Sequence, residues 1–215
     1  AEVVLLCGAT PVFVDVDPIS YNIDAADLEA KVAALDLDHL QPAAVMPVDL
    51  FGLPADYDAI DAVAERHGMV VIADAAQSFG GRWHGKTVGT LAPVTCTSFF
   101  PAKPLGGYGD AGAILTSDDD LAEIMRSIRV HGTGGKKYDI VRLGLNARLD
   151  TLQAAILLAK IEVFADELEQ RHAVARRYDA ALSGNLATPV IPNHARSAWA
   201  QYTVQLENRD ATAAV

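Results

Sequence analysis

The chain alternates short apolar runs with segments whose apolar residues recur every three or four positions. The apolar runs predict strands at residues 11–16, 43–48, 69–73, 94–100 and 111–116. The spacing of three and four predicts helices after Asp24, over residues 59–67 and over residues 118–130. Strands that are apolar almost throughout, alternating with helices, are typical of an α/β protein with a mainly parallel, three-layer sheet arrangement.

The last third of the chain has a different pattern. Helical spacing runs from Asp150 to Leu182, too long for one ordinary straight helix, and predicts two helices or a bent one. Prolines then mark a linker, and residues 201–206 alternate like a half-buried strand. We therefore expect a large domain over residues 1–183 and the start of a smaller α+β domain over residues 184–215.

Composition and charge exclude several classes of protein. A 215-residue chain with 51% hydrophobic residues is too apolar to be disordered, and no apolar run reaches the ~18 residues of a membrane span. The net charge of −11 argues against nucleic acid or an anionic membrane as a partner. Two cysteines, and histidines without partners at metal-ligand spacing, predict neither a disulfide nor a metal site and favour the cytoplasm.

Two glycine-rich segments resemble nucleotide-binding loops but lack the necessary context. Gly107, Gly109 and Gly112 match the dinucleotide fingerprint, yet a strand is predicted after them where that motif needs a helix. Residues 132–137 lack the spacer and the hydroxyl residue of a P-loop and are interpreted as a surface loop. Neither segment predicts a nucleotide site.

Two residues that follow predicted strands suggest a different chemistry. Asp74 comes directly after the strand at residues 69–73, where open α/β sheets bind ligands. Lys103 lies in a proline-flanked apolar turn beyond the strand at residues 94–100, and Ser98 precedes it. Each residue also has an ordinary interpretation: Asp74 as a helix cap, Lys103 as a surface lysine and Ser98 as a strand-end serine. Together, a lysine that can form a Schiff base and an acid that can pair with a pyridinium nitrogen are what pyridoxal phosphate requires.

Five separated motifs, in this order, resemble the nucleotide-sugar aminotransferases of fold type I, the DegT/DnrJ/StrS group. They are Ala73–Gly80, Ser98–Gly106, Gly109–Ala113, Arg129–Gly132 and Gly144–Ala155. The resemblance extends over nearly the whole chain. It implies the large domain of a pyridoxal-phosphate-dependent transferase.

The resemblance also implies roles for individual residues. Lys103 would form the Schiff base and then move a proton between the cofactor and the sugar carbon. Asp74 would hold the pyridinium nitrogen, Gln77 the phenolic oxygen and Ser98 the phosphate. Asn146 would reach the phosphate of a neighbouring subunit's cofactor, which implies a homodimer with shared active sites.

Further implications concern the substrate. Arg129 and His131 would contact the nucleotide-sugar. The resemblance within the family is to members that aminate UDP-linked 3-keto-N-acetylglucosaminuronate, with L-glutamate as donor, in surface polysaccharide biosynthesis. Dehydratase relatives have a histidine at the position of Lys103, so the lysine favours transamination.

Two alternatives remain open on the sequence. One is an aminotransferase that acts at C4 of a 4-keto-6-deoxy nucleotide-sugar. The other is a truncated homologue that serves as a binding or assembly module. Relatives carry a phosphate-binding Gly-Thr turn upstream and a fuller small domain, and Ala111 stands where glycine is usual. We therefore expect the 215 residues to be part of a longer protein and to be inactive alone.

Overall fold

A computed structural model describes residues 1–136 and 138–213. Lys137, at the end of the predicted surface loop, and the last two residues lie outside the described part. The helices are α1 (Glu2–Leu6), α2 (Ala25–Ala33), α3 (Tyr57–His67), α4 (Asp119–Arg129), α5 (Thr151–Ile161), α6 (Phe164–Leu182) and α7 (Arg209–Ala213). The strands are β1 (Ala44–Val45), β2 (Val70–Asp74), β3 (Arg82–Trp83), β4 (Lys86–Thr87), β5 (Val94–Ser98), β6 (Gly112–Leu115) and β7 (Ala195–Arg196).

The central sheet has the strand order β1-β2-β5-β6. The pairs β1–β2 and β2–β5 are parallel, whereas β6 runs antiparallel to β5. This confirms the predicted α/β fold with a mainly parallel sheet. Gly112 begins β6 without a helix, so the glycine motif before it leads into a strand as predicted.

One face of this sheet packs against α2 and α3. Their apolar stripes meet the buried strand residues in one cluster, which includes Leu28, Val32, Ile60, Val63 and Val71. Both helices begin with an aspartate whose side chain accepts a hydrogen bond from a backbone N–H of the first turn. Gly68 ends α3 in the left-handed conformation that glycine adopts without strain.

The long helical stretch after Asp150 is two helices, as predicted. α5 ends at Ile161 and α6 begins at Phe164. A second apolar cluster joins these helices to the segment after β5 through Leu105, Leu157 and Phe164. None of the described helices is both long enough and apolar enough to cross a membrane.

Two predicted strands are not formed. Residues 11–16 contribute a single bridge, between Val16 and Ile23, and residues 201–206 a single bridge, between Gln205 and Ala187. A strand needs a neighbour along its length, and the described residues place none beside either segment. The three-stranded sheet β4-β3-β7 was not predicted, because its strands are two residues long and lack periodicity.

The small sheet ties the end of the chain to its middle. Trp83 pairs with Ala195, and Ala198 donates a backbone hydrogen bond to Gly52 O. Gly52 has a φ of +104°, and a Cβ there would lie 2.7 Å from the backbone nitrogen of Trp199. Glycine is therefore required where these segments cross. The division at residue 183 remains a prediction, since residues 195–201 pack on the preceding part.

Candidate active site

Asp74 and Ser98 lie at the same edge of the sheet. β2 and β5 are parallel neighbours, and Asp74 is in register with Cys96. Since side chains alternate along a strand, Asp74, Cys96 and Ser98 project from the same face, where all three are half-buried. Burial and the negative charge of Asp74 raise the pKa of the Cys96 thiol. The structure thus places the acid and the hydroxyl on one face of neighbouring strands, at the same edge of the sheet.

Lys103 sits on a tight turn that begins at Ser98. The Ser98 hydroxyl accepts a hydrogen bond from Phe100 N at 3.2 Å, and Lys103 N donates to Phe100 O at 2.9 Å. A Cβ on Gly106 would lie 2.5 Å from Pro101 O, so only glycine allows the turn to close this tightly. No described residue forms a hydrogen bond or an ion pair with the half-buried Lys103 amine. The turn that follows β5 therefore carries an amine without a partner among the described residues.

Helix α5 holds the far side of this turn. Lys160 Nζ donates to Gly106 O at 2.5 Å, and Gln153 Oε1 accepts from Tyr108 N at 2.8 Å. Gln153 also packs so closely that a Cβ on Gly107 would lie 2.9 Å from its Oε1. Leu105 is buried in the cluster beneath. Both ends of the Lys103 turn are therefore fixed, one by β5 and the other by α5.

Gln77 follows β2 and has a defined amide orientation. Its Oε1 accepts a hydrogen bond from Phe51 N at 2.6 Å. A backbone N–H can only donate, so the oxygen must face Phe51 and the NH₂ group must face away. No described residue accepts a hydrogen bond from this NH₂ group, which is therefore free to donate. Phe51 itself has a φ of 58°, unusual for a residue other than glycine.

The other three predicted site residues form a group of their own. The end of α4 runs antiparallel to residues 145–147: Val130 bridges Asn146, and Ala147 N donates to Arg129 O at 3.0 Å. His131 lies next along this ladder and donates its N–H to Leu145 O. The side chains of Arg129, His131 and Asn146 are exposed. They are therefore neighbours of one another, as a surface group.

An open cleft connects the two groups. It is lined by Ser98, Phe100, Asp110, Ala111, Gly112, Ala147, Arg148 and Leu149. Arg148 Nε also donates to Asn146 Oδ1 at 2.9 Å. Arg148 was not singled out from the sequence, although an arginine within the Gly144–Ala155 motif was visible there. Its position supplies a cation to a cleft that already holds the Ser98 hydroxyl.

Asp49 was not predicted from the sequence as a residue of the site. It is fully buried, and burial is the main cause that raises its pKa to about 6, with the charge of Asp74 acting in the same direction. The signal that identified Asp74, a carboxylate directly after an apolar run, also applied to Asp49 after residues 43–48. Both carboxylates therefore belong to the same end of the sheet.

The residues at this edge fit pyridoxal phosphate. Only Oδ1 of Asp74 is engaged by a described residue, in a 3.0 Å bond from Ala76 N, so Oδ2 is available to a pyridinium N–H. The unpaired Lys103 amine suits an aldehyde, and Ser98 beside Arg148 suits a phosphate. The oriented Gln77 amide suits a phenolate oxygen. Each donor or acceptor has a counterpart on the cofactor.

Comparison with known proteins identifies the family. All of residues 1–215 match the DegT/DnrJ/EryC1/StrS aminotransferase family. The chain belongs to this family. A crystal structure of a DegT DnrJ EryC1 StrS aminotransferase from Brucella abortus superimposes with a TM-score of 0.97 and is 53% identical. It is matched over 100% of this chain and 58% of its own length, and it shares the fold described above.

Two further family relatives bear on the chemistry. A UDP-2-acetamido-2-deoxy-3-oxo-D-glucuronate aminotransferase from Pseudomonas aeruginosa is 49% identical over 100% of this chain and 58% of its own length. NtdA from Bacillus subtilis, solved with bound cofactor PMP, is 28% identical with a TM-score of 0.84, over 99% of this chain and 48% of its own. The chain thus spans about half the length of the relatives it matches.

Proposed function

We propose that the protein is a pyridoxal-phosphate-dependent aminotransferase that acts on a keto group of a UDP-linked sugar. The observation that carries the proposal is the sheet edge where the half-buried Asp74 and Ser98 project from one face, followed by the turn that carries Lys103. The Lys103 amine has no partner among the described residues. Membership of an aminotransferase family and a relative solved with PMP, the pyridoxamine form of the cofactor, support it.

The cofactor supplies an aldehyde that carries the amino group and a ring that stabilises charge at the reacting carbon. Asp74 would keep a proton on the ring nitrogen, through its free carboxylate oxygen. Gln77 would donate to the phenolic oxygen, since its amide NH₂ faces away from Phe51. Ser98 would bind the phosphate. Each of these side chains orients the ring by a contact that matches its own donor or acceptor character.

Lys103 would serve as both covalent anchor and proton carrier. Its turn is tied to β5 and α5, so the amine can be displaced and return to the same place. Once released, Nζ is the base that would move a proton from the α-carbon of the donor amino acid to the cofactor in the first half-reaction. In the second half-reaction it would move a proton from the cofactor to the sugar carbon. L-Glutamate is the proposed donor, in a ping-pong sequence that begins and ends with Lys103.

The proposed sugar is a 3-keto-N-acetylglucosaminuronate. The name of the Pseudomonas aeruginosa relative supports this choice. Arg129 and His131 lie on an exposed ladder beside Asn146, where their N–H groups can donate to the diphosphate or carboxylate of such a substrate. Asn146 is proposed to act on a neighbouring subunit's cofactor phosphate in a homodimer. A cytoplasmic location remains a prediction.

The test uses the visible absorption spectrum of the full-length gene product with pyridoxal phosphate. We expect a band from lysine-bound cofactor that bleaches on addition of L-glutamate. Lys103→Ala should not form the lysine-bound band, whereas Lys86→Ala, at an exposed lysine of β4, should behave as wild type. Absence of the band in wild type would overturn the proposal and favour the alternative that the protein is a binding module.

Product analysis then tests the choice of sugar. The glutamate-treated protein is mixed with a UDP-linked 3-keto or a 4-keto-6-deoxy sugar nucleotide. We expect the amino sugar to form from the 3-keto substrate. Amination of the 4-keto substrate alone would replace the proposed substrate by the C4 alternative and leave the aminotransferase assignment intact.

A further inference from the structure

Asp49 forms a network that the proposed reaction does not use directly. Its side chain is 0% exposed. Oδ1 accepts hydrogen bonds from Ala55 N and from the Tyr57 hydroxyl, both at 2.9 Å, and Oδ2 accepts one from the Ser78 hydroxyl at 2.5 Å. The carboxylate thus joins the segment before α3 to the segment after β2.

Two backbone hydrogen bonds bring this network to the site. Asp49 N donates to Asp74 O at 3.0 Å, and Asp74 N donates to Pro47 O at 2.9 Å. The backbone of Asp74, which carries the proposed site carboxylate, is therefore paired with Asp49 itself and with Pro47, two residues before it. Ser78 is four residues further on, and Ser78 N donates to Ala75 O at 3.2 Å. Asp49 consequently holds the turn of residues 74–78 at its two ends.

The same segment orients Gln77. Phe51, two residues after Asp49, donates its N–H to Gln77 Oε1 at 2.6 Å. This peptide stays in place because Asn22, itself buried, accepts from Leu50 N at 2.8 Å and donates to Leu53 O at 3.0 Å. Gln77 is thus held through Phe51, while its neighbour Ser78 is held by Asp49.

The charge of Asp49 has no cation to balance it. Among the described residues no lysine, arginine or histidine pairs with Asp49, whereas the Tyr57 hydroxyl donates to it and the charge of Asp74 acts to raise its pKa. A buried carboxylate without a cation is costly, and it persists only when several donors satisfy it. Three donors do so here, and one of them, Ser78, belongs to the 74–78 turn that carries two proposed cofactor-binding residues. A merely structural core position would be filled more easily by an apolar side chain.

We propose that Asp49 is a positioning residue that holds the 74–78 turn, through Ser78 and the backbone of Asp74, in the orientation that presents Asp74 and Gln77 to the cofactor. This inference rests on the proposed roles of Asp74 and Gln77. Ser78 is the link, because its hydroxyl is the only side-chain contact between the turn and Asp49 among the described residues.

A matched pair of variants separates positioning from stability. Ser78→Ala and Tyr57→Phe each remove one hydroxyl that donates to the Asp49 carboxylate, but only Ser78 lies on the turn. In the full-length protein we expect Ser78→Ala to weaken pyridoxal phosphate binding about tenfold, as loss of a charge-assisted hydrogen bond allows. We expect Tyr57→Phe to change it less than about twofold at a similar cost in thermal stability. Asp49→Asn should follow Ser78→Ala, more weakly.

Hydrogen exchange of the cofactor-free protein provides a second readout. Exchange at the amides of Ala76 and Ser78 should speed up in Ser78→Ala and remain as in wild type in Tyr57→Phe. Equal effects of the two variants, or none on the turn in either, would overturn the positioning role. If wild type fails to bind the cofactor, the proposed function falls, and the exchange comparison still decides whether Asp49 holds the turn.

Discussion

The buried Asp49 predicts an unusual dependence of stability on pH. Its pKa is 3.8 in the reference state and about 6 in the folded protein. The folded state therefore retains a proton between these two values that the unfolded state has lost. Stability from this group is greatest below pH 3.8 and declines as the pH rises through about 6. The increase in the pKa of Asp49 lowers the free energy of unfolding at high pH by about 3 kcal/mol relative to low pH, at about 1.4 kcal/mol per pKa unit.

Asp49→Asn isolates this effect, since asparagine has the same shape and does not titrate. Its oxygen can still accept from Ala55 N and Tyr57, while its NH₂ group can donate to the Ser78 oxygen. We expect the free energy of unfolding of Asp49→Asn minus that of wild type to increase by about 2 kcal/mol from pH 4.5 to 7.5. Other carboxylates cancel in this difference.

The assay is urea unfolding of both proteins at a series of pH values, followed by circular dichroism. Identical slopes against urea would show that the two unfold to comparable states. A difference that does not change with pH, or that increases toward low pH, would refute the reasoning, because Asp49 would then not be held at a raised pKa. If Asp49→Asn also binds the cofactor more weakly, the Asp49 charge would contribute to cofactor binding while lowering the free energy of unfolding.

Three further outcomes follow from single contacts. Gly106→Ala should disturb the Lys103 turn and weaken cofactor binding, since its Cβ would lie 2.5 Å from a carbonyl oxygen. Circular dichroism and cofactor titration measure this effect, and Gly184→Ala, whose Cβ would have no neighbour within 4 Å, is the control. Asp150→Ala removes the cap of α5 and should lower the free energy of unfolding by ~1 kcal/mol in urea titrations. Asp74→Asn should lower the pKa of Cys96, measured by the pH dependence of thiol alkylation, and an unchanged pKa would contradict the proximity of the two groups.

Helices were predictable because their signals are local. The spacing of apolar residues and a capping aspartate lie within one segment, so α2, α3, α4 and the pair α5–α6 were predicted before any contact was known. Strands were predictable where the apolar segment has a partner in the central sheet, as β2, β5 and β6 do. Residues 11–16 have the composition of a strand, but Phe13 and Val16 are exposed and only a bridge forms. Pairing is a property of two segments, and one segment alone does not determine it.

The candidate site shows the same contrast between local sequence signals and contacts made in the folded protein. The sequence by itself predicted which chemistry to expect, because Asp74 and Lys103 each follow a predicted strand, Ser98 lies near the end of one, and strand ends meet at one edge of a parallel sheet. Only the tertiary structure decided how these groups are held. The bond from Phe51 to Gln77 spans 26 residues and that from Ser78 to Asp49 spans 29. Such contacts arise from packing of separate segments, so no local pattern records them.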